Sequence, residues 1–367
     1  MPWPATIKGV PGVYFSYPFC AQKCTYCNFA SGVSSHATED RYCEALLREI
    51  RTSQWRWTPE TVYTGGGTPS MMEPARLAAI LEAIPGRPWM EATVEAAPGT
   101  ITEEKARAWR EAGINRVSLG VQSFIETEIR RTGRRHTAAI VEREIEILRA
   151  AGIANFNIDL IAGLAGQTSE SWEESLDWLV RLEPPHVSIY MLEVDEDSRL
   201  GKEMLLGGVR YGASDTPDED TVAGLYESAV SRLAALGIRR YEISNFARPG
   251  FESRHNLKYW KLEPYTGFGA DAHSFDGRLR LQNPETVADY LAGAPVTSST
   301  ASADEHLFVG LRLLDGVRPA ADDWQRHKDC ISRFVALGML DSSDGVLRLT
   351  DRGVLLSNEV FQEFLAA

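Results

Sequence analysis

Three of the chain's five cysteines, Cys20, Cys24 and Cys27, crowd into a C-x3-C-x2-C spacing within YPFCAQKCTYCNF. Iron–sulfur clusters are normally held by four thiolates. Three thiolates can hold three irons of a [4Fe–4S] cluster and leave the fourth iron without a protein ligand. An open position on a metal is where chemistry happens rather than scaffolding. Two other readings fit the same residues: a zinc site completed by His36, and three unrelated thiols. Cys43 and Cys330 stand apart in sequence and read as small buried hydrophobes.

Other chemistry-bearing residues follow at intervals. Gly65-Gly66-Gly67-Thr68-Pro69 could bring backbone N–H groups close to a ligand, as an anion nest does. It lacks the Lys-Ser/Thr ending of a phosphate-binding P-loop, and a plain tight turn is its alternative. Glu95 precedes Ala96-Ala97-Pro98-Gly99 and could bind an ammonium or a ribose hydroxyl pair, or simply be solvated. Gln122 follows Gly120-Val121, and Arg134 comes twelve residues later with the fork geometry that suits a carboxylate. Asp159 lies inside the apolar run NIDLIAGLAGQT, where a charge is costly unless paired or bound to a ligand.

The elements that must position these residues alternate between strand and helix. Strand patterns cover 13–17, 61–64, 91–95, 115–121, 156–161 and 187–192. Helical patterns cover 40–56, 74–83, 102–112, 138–151, 171–182 and 221–236. The helix at 102 opens on Thr102 with Lys105 where a capping box has Glu, a weak cap signal. Six βα units with short connections require parallel strands and crossover helices, in either an open doubly wound sheet or a partial barrel. Both gather ligands beyond the carboxyl ends of the strands. The cysteine loop, the glycine run, Glu95, Gln122 and Asp159 each fall at or just after the end of a strand pattern. From about residue 242 the βα rhythm stops. Residues 286–292, 303–314 and 322–337 read as helices, and LRLTDRGVLLSNEVFQEFL as a strand, a turn and a helix. That order suggests a winged-helix-like module.

At 367 residues the chain can bury a large core and form two domains. No apolar run is long enough to span a membrane, and MPWPATIKGV lacks the apolar stretch of a signal peptide, so the expected location is the cytoplasm. The net charge of −13 argues against a long nucleic acid as partner. Membrane contact is at most peripheral on these features, and a homodimer is allowed without being required.

Taken together, YPFCAQKCTYCNF, YTGGGTPS, RVSLGVQSF, NIDLIAGL, YEISNFARPG and HNLKYW resemble the radical S-adenosylmethionine (SAM) superfamily. More narrowly they resemble the group of oxygen-independent coproporphyrinogen III oxidases and HemW-type haem chaperones, and RLTDRGVLLSNEVFQEFL extends the likeness to the C-terminal end. The resemblance implies a partial (β/α)6 radical SAM barrel in residues 1–240, then a smaller, mostly helical, winged-helix-like C-terminal domain in 241–367. It implies that Cys20, Cys24 and Cys27 ligate the cluster while the methionine end of SAM chelates the open iron. Tyr14, Tyr26, Gly66, Gly67, Thr68, Glu95, Gln122, Arg134 and Asp159 match SAM contacts, with Arg134 facing the methionine carboxylate. Ala97 departs from the Asn common after the Glu. In this family one electron from the cluster breaks a C–S bond of SAM, giving methionine and a 5′-deoxyadenosyl radical.

Within the group, the decarboxylating oxidases carry a fourth cysteine where this chain has Phe29, and a longer N-terminal extension. Both features make the HemW type the expected one, with haem delivered to respiratory proteins. Oxidation of coproporphyrinogen III to protoporphyrinogen IX is the alternative. In the HemW type, the stretch His255-Asn256-Leu257-Lys258-Tyr259-Trp260 is associated with haem. An imidazole from His255 could ligate iron, Tyr259 and Trp260 offer flat apolar faces, and Arg248, Arg254, Lys258 and Lys261 form a local basic patch for propionates. The alternative is that these residues pack a domain junction. His273, in GFGADAHSF, is the next candidate histidine.

Overall fold

In a computed structural model of the chain, residues 11–365 are described. The reading of MPWPATIKGV falls outside them. The structure begins with β1 (Gly12–Tyr17), then β2 (Thr61–Gly66), β3 (Glu91–Ala96), β4 (Arg116–Gln122), β5 (Asn155–Ala162) and β6 (His186–Met191). All neighbours in this set pair in parallel and in sequential order. A doubly wound sheet would reverse its strand order at a switch point. The unbroken order here is that of a barrel wall. The strands are buried along most of their length, as in NFNIDLIA, because helices cover their outer face.

The covering helices are α1 (His36–Thr52), α2 (Pro74–Glu82), α3 (Glu103–Glu111), α4 (Glu126–Arg131), α5 (Ala138–Ala150), α6 (Ser169–Leu182), α7 (Arg199–Leu205) and α8 (Glu219–Ala235). Six start on a side chain that accepts an N–H three residues on: Ser35, Thr102, Thr137, Thr168, Ser198 and Asp218. The cap at Thr102 forms because its donor is the Lys105 backbone, which does not depend on the side chain there. Trp109 of α3 and Trp172 of α6 are fully buried against the strands.

The sheet continues past residue 240. β7 (Arg239–Arg240) and β8 (Asn245–Ala247) extend it antiparallel beyond β6. α9 (Arg254–Trp260) follows, and β9 (Tyr265–Phe268) then pairs in parallel with β1. β10 (His273–Phe275), β11 (Leu279–Gln282) and β12 (Thr297–Thr300) complete that side, with α10 (Val287–Ala292) between the last two. These strands have two to four residues, too few for an alternating pattern to stand out in sequence.

The C-terminal part is mostly helical. It comprises α11 (Glu305–Gly310), α12 (Ala321–Arg326), α13 (Lys328–Ala336), an antiparallel pair β13 (Leu340–Asp341) and β14 (Arg348–Leu349), α14 (Asp351–Leu355) and α15 (Ser357–Leu365). Leu307, Phe334, Leu347, Val360 and Phe364 form its core. No described helix is long and apolar enough to cross a membrane.

Candidate functional site

A cavity of about 650 Å³ opens at the carboxyl ends of the barrel strands. The cysteine loop forms one wall. Its base is closed by Cys20 N–H donating to Gly32 O at 3.0 Å and Gly32 N–H donating to Pro18 O at 2.9 Å. Its middle is tied to the end of α4, where Thr25 N–H donates to Thr132 O at 3.1 Å. Cys20, Cys24 and Cys27 are free thiols, half-buried, and all three line the cavity. Burial pushes the Cys27 thiol above its ordinary range. Across from them Arg134 donates from Nε to Cys24 Sγ at 3.2 Å and from Nη1 to Gly120 O at 2.6 Å.

His36, weighed as a fourth zinc ligand, has a fully exposed side chain beside Glu39 at the start of α1 and does not line the cavity. Among the described residues, no three His, Cys, Asp or Glu side chains close on a single ion. Thiolates bound to different corners of a cubane have no need to do so.

Two N–H groups of the glycine run are already engaged within the protein. Gly67 N–H donates to Tyr17 O at 2.7 Å and Thr68 N–H to Phe19 O at 2.8 Å, so both groups are spent on the root of the cysteine loop. A Cβ on Gly67 would sit 2.5 Å from Phe19 O, and Gly66 has φ +110°. These glycines let two strand-end loops lie against each other. Gly66, Gly67 and Thr68 still line the cavity, but as the brace that fixes the cysteines.

Glu95 and Asp159 form the acidic floor. Tyr63 Oη donates to Glu95 Oε1 at 2.8 Å. Burial pushes the Glu95 carboxyl up to about 7, and Asp159 adds to the rise against the Tyr63 bond. Asn157 Nδ2 donates to Asp159 Oδ1 at 2.6 Å and Ser118 Oγ lies 3.3 Å from Oδ2. Burial raises the Asp159 carboxyl as well. Among the described residues neither acid forms a salt bridge, though the buried Arg116 guanidinium acts on both from farther off and opposes the rise. Two buried carboxyls with no direct salt-bridge partner among the described residues, facing a cavity, suit an ammonium or hydroxyl pair.

Gln122 has φ +71° at an irregularity in the β4–β5 register, and its amide lines the cavity. A left-handed conformation in a non-glycine residue is a strain that sites tend to hold. Tyr26 lines the cavity beside the thiols. Tyr14 does not. It stacks on Tyr63 at 6.3 Å, under Glu95, and supports the floor from below. The sequence reading missed Tyr63, Ser118 and Asn157, which orient the two acids, and Arg135, His136 and Tyr190, which line the cavity. Asn157 carried a signal: two residues before Asp159 on a strand, it must share that residue's face.

His255, Tyr259 and Trp260 do not line this cavity. His255 is fully buried at the other end of the barrel. Its Nδ1 meets Thr61 Oγ1 at 2.8 Å and its Nε2 meets Tyr259 Oη at 2.8 Å, while its ring stacks on Tyr63 at 5.2 Å. Burial, with Lys258 and Arg116 adding to it, drives its pKa down to about 3. An imidazole with both nitrogens engaged offers none to iron. Two members of the basic patch are engaged as well. Lys258 Nζ lies 3.1 Å from Glu263 and 3.6 Å from Glu60, and Arg254 lies 3.9 Å from Glu60. Trp260 carries the Arg312 guanidinium 4.3 Å from its ring centroid. His273 is exposed on β10, beside Asp271 O, and does not line the cavity.

The model of the radical SAM superfamily matches residues 14–179. The heme chaperone HemW of Lactococcus lactis is 34% identical over 373 residues, which cover 96% of each chain. That of Bacillus subtilis is 34% identical over 96% of this chain and 98% of its own. Among solved structures, the coproporphyrinogen III oxidase HemN of Escherichia coli, described as a radical SAM enzyme, superposes with a TM-score of 0.81. That match covers 97% of this chain and 90% of the other at 20% identity, a likeness of fold.

Proposed function

We propose that this chain, which belongs to the HemW type of the radical SAM superfamily, is a haem chaperone that binds a [4Fe–4S] cluster, SAM and haem and delivers the haem to respiratory enzymes. The observation that carries this reading is the full-length match to heme chaperones, which takes in the C-terminal part as well as the barrel. The cavity supports the cofactor half of it. Cys20, Cys24 and Cys27 would hold three irons, Arg134 the methionine carboxylate, and Glu95 and Asp159 the ammonium and ribose groups of SAM. When bound, the cluster and SAM supply one-electron reductive chemistry. The chain's own residues fix the thiols through the glycine brace, keep a cation against Cys24, and bury two carboxyls whose ionisation a bound cation would favour. Phe29, where an oxidase has its fourth cysteine, further supports the chaperone over the oxidase.

The test is an anaerobic haem titration of cluster-reconstituted protein, read by its Soret absorbance. A saturable shift is expected. Its absence in protein of full iron content would overturn the reading. Protoporphyrinogen IX formed from coproporphyrinogen III, with SAM and a reductant, would replace it by the oxidase.

A further inference from the structure

Beneath the cavity floor the barrel interior is polar, where a parallel barrel is usually filled by branched apolar side chains. Residues two apart on a strand share a face. The inward face therefore carries Thr93 and Glu95 on β3, Arg116 and Ser118 on β4, and Asn155, Asn157 and Asp159 on β5. The register sets them in levels. Glu95, Ser118 and Asn157 lie side by side at the floor, and Thr93, Arg116 and Asn155 lie side by side one level below. Arg116 is 2% exposed, and among the described residues its guanidinium forms no salt bridge or hydrogen bond. Arg116 Nε, Thr93 Oγ1 and Asn155 Oδ1 are all buried without a partner.

A buried cation is costly unless it is compensated. Thr93 and Asn155, its neighbours on either side, carry no charge. The carboxyls on the same inward face are Glu91 below and Glu95 and Asp159 above. Glu91 is already engaged by the N–H groups of Arg254 and His255. Glu95 and Asp159 face the cavity instead. One level is about 7 Å along a strand, a spacing at which a buried charge acts without contact. Resting on the assignment of Glu95 and Asp159 to SAM, we propose that Arg116 is a positioning residue for SAM: from beneath the floor, its unpaired guanidinium holds the two carboxyls ionised for the cationic end of the ligand. Arg116 indeed opposes the rise that burial imposes on both carboxyls. The other titratable groups facing Glu95, besides Asp159, are Tyr14, Tyr63, Tyr190 and Tyr259, and burial holds all four phenols above their ordinary range. Arg134 also faces Asp159, but its guanidinium is bonded to Cys24 and Gly120.

The test is the dissociation constant of SAM, measured by anaerobic calorimetry on the cluster-loaded chain from about pH 6 to 9. Wild type, Arg116→Gln and Arg116→Lys are compared at equal iron content. The ratio of variant to wild type is read at each pH, so titration of SAM itself cancels. Arg116→Gln should bind about tenfold more weakly at the acid end, and as tightly as wild type or tighter at the alkaline end. There the carboxyls are ionised in both proteins, and the variant no longer repels a cation. Arg116→Lys, which keeps the charge, should follow wild type. Urea unfolding without SAM gives a second readout. The stability lost with rising pH should level off above about pH 7 in wild type and go on falling in Arg116→Gln. If Arg116→Gln does not fold, Arg116→Met takes its place, because an apolar side chain of similar length removes the cost of the buried charge. A wild type that binds SAM beside a neutral variant whose ratio is the same at every pH would overturn the role of Arg116 and leave the SAM site standing, and so would identical unfolding slopes. A wild type of full iron content that binds no SAM would overturn the site itself.

Discussion

The two ends of the barrel are built from the same kinds of side chain and have opposite chemical character. At the carboxyl ends of the strands, three free thiols, two carboxyls with no salt-bridge partner among the described residues and a half-engaged guanidinium face open space. At the amino ends, α9 is driven in like a plug. Glu91, the first residue of β3, accepts the backbone N–H of Arg254 at 2.9 Å and of His255 at 3.0 Å, and Ser253 Oγ approaches it at 3.4 Å. Thr61, the first residue of β2, takes the His255 ring. His186, the first residue of β6, is bonded to Asn157 at 2.7 Å and to Tyr241 at 2.9 Å. A polar group signals chemistry when its bonding capacity is unspent, and signals stability when it is spent. In a parallel barrel, the strand end largely decides which.

Substitutions sharpen this contrast when they separate function from fold. The largest effect belongs to Cys24→Ser. The side chain is half-buried and its polar neighbours are Arg134 and Tyr26, both of which a serine hydroxyl can still meet, so the fold should persist, with stability changed by no more than about 1 kcal/mol. Iron content and the visible absorbance of the reconstituted protein should be lost. Full iron in a folded Cys24→Ser variant would break the assignment of the upper end.

The lower end should answer in the opposite way. Glu91→Ala removes the acceptor of two helix N–H groups in a site only 2% exposed, and should cost roughly 3 kcal/mol in urea unfolding. His255→Ala leaves Thr61 and Tyr259 without their shared partner and opens a void, at about 2 kcal/mol. In both variants, the folded fraction should take up a normal complement of iron. A stability-neutral His255→Ala that abolished haem binding would break the comparison, because the lower end would then be a site.

The difference between the ends shows what the sequence could and could not convey. The order of strands and helices was legible because each βα unit carries its own period and turn, and that order placed the cysteines, Glu95, Gln122, Arg134 and Asp159 at one end before any coordinates. The role of the glycine run was not legible. Whether Gly67 N–H meets a ligand or Tyr17 O depends on how two loops from different strands settle together. Nor was the burial of His255. An H-x-x-x-Y pair on a helix looks like a presented imidazole and phenol. Only the tertiary contact with Thr61 and Tyr63 turns it inward. The short strands β7 to β12 were missed for lack of length.

The smallest effect is the most informative about the upper end, because it asks whether the floor is kept ready at a cost to stability. The Glu95 carboxyl is pushed up to about 7 from an ordinary 4.5, first by burial and then by Asp159. The folded chain therefore holds that proton more tightly than the unfolded chain does. Below about pH 4.5 both states are protonated. Between 4.5 and 7 the unfolded chain has lost the proton and the folded chain keeps it, so stability falls as pH rises through this window. Above 7 both are ionised and the full cost is present. Glu95→Gln keeps an acceptor for Tyr63 and removes the titration. Between pH 5 and 8, the ligand-free wild type should lose roughly 2 kcal/mol more than the variant in urea unfolding. SAM should bind the variant more weakly at pH 8, where the wild-type carboxylate is ionised and has a cation to meet. Equal pH slopes in the two proteins would mean that Glu95 is not the group that makes the floor costly. The contrast between a strained upper end and a satisfied lower one would then rest on Asp159 alone.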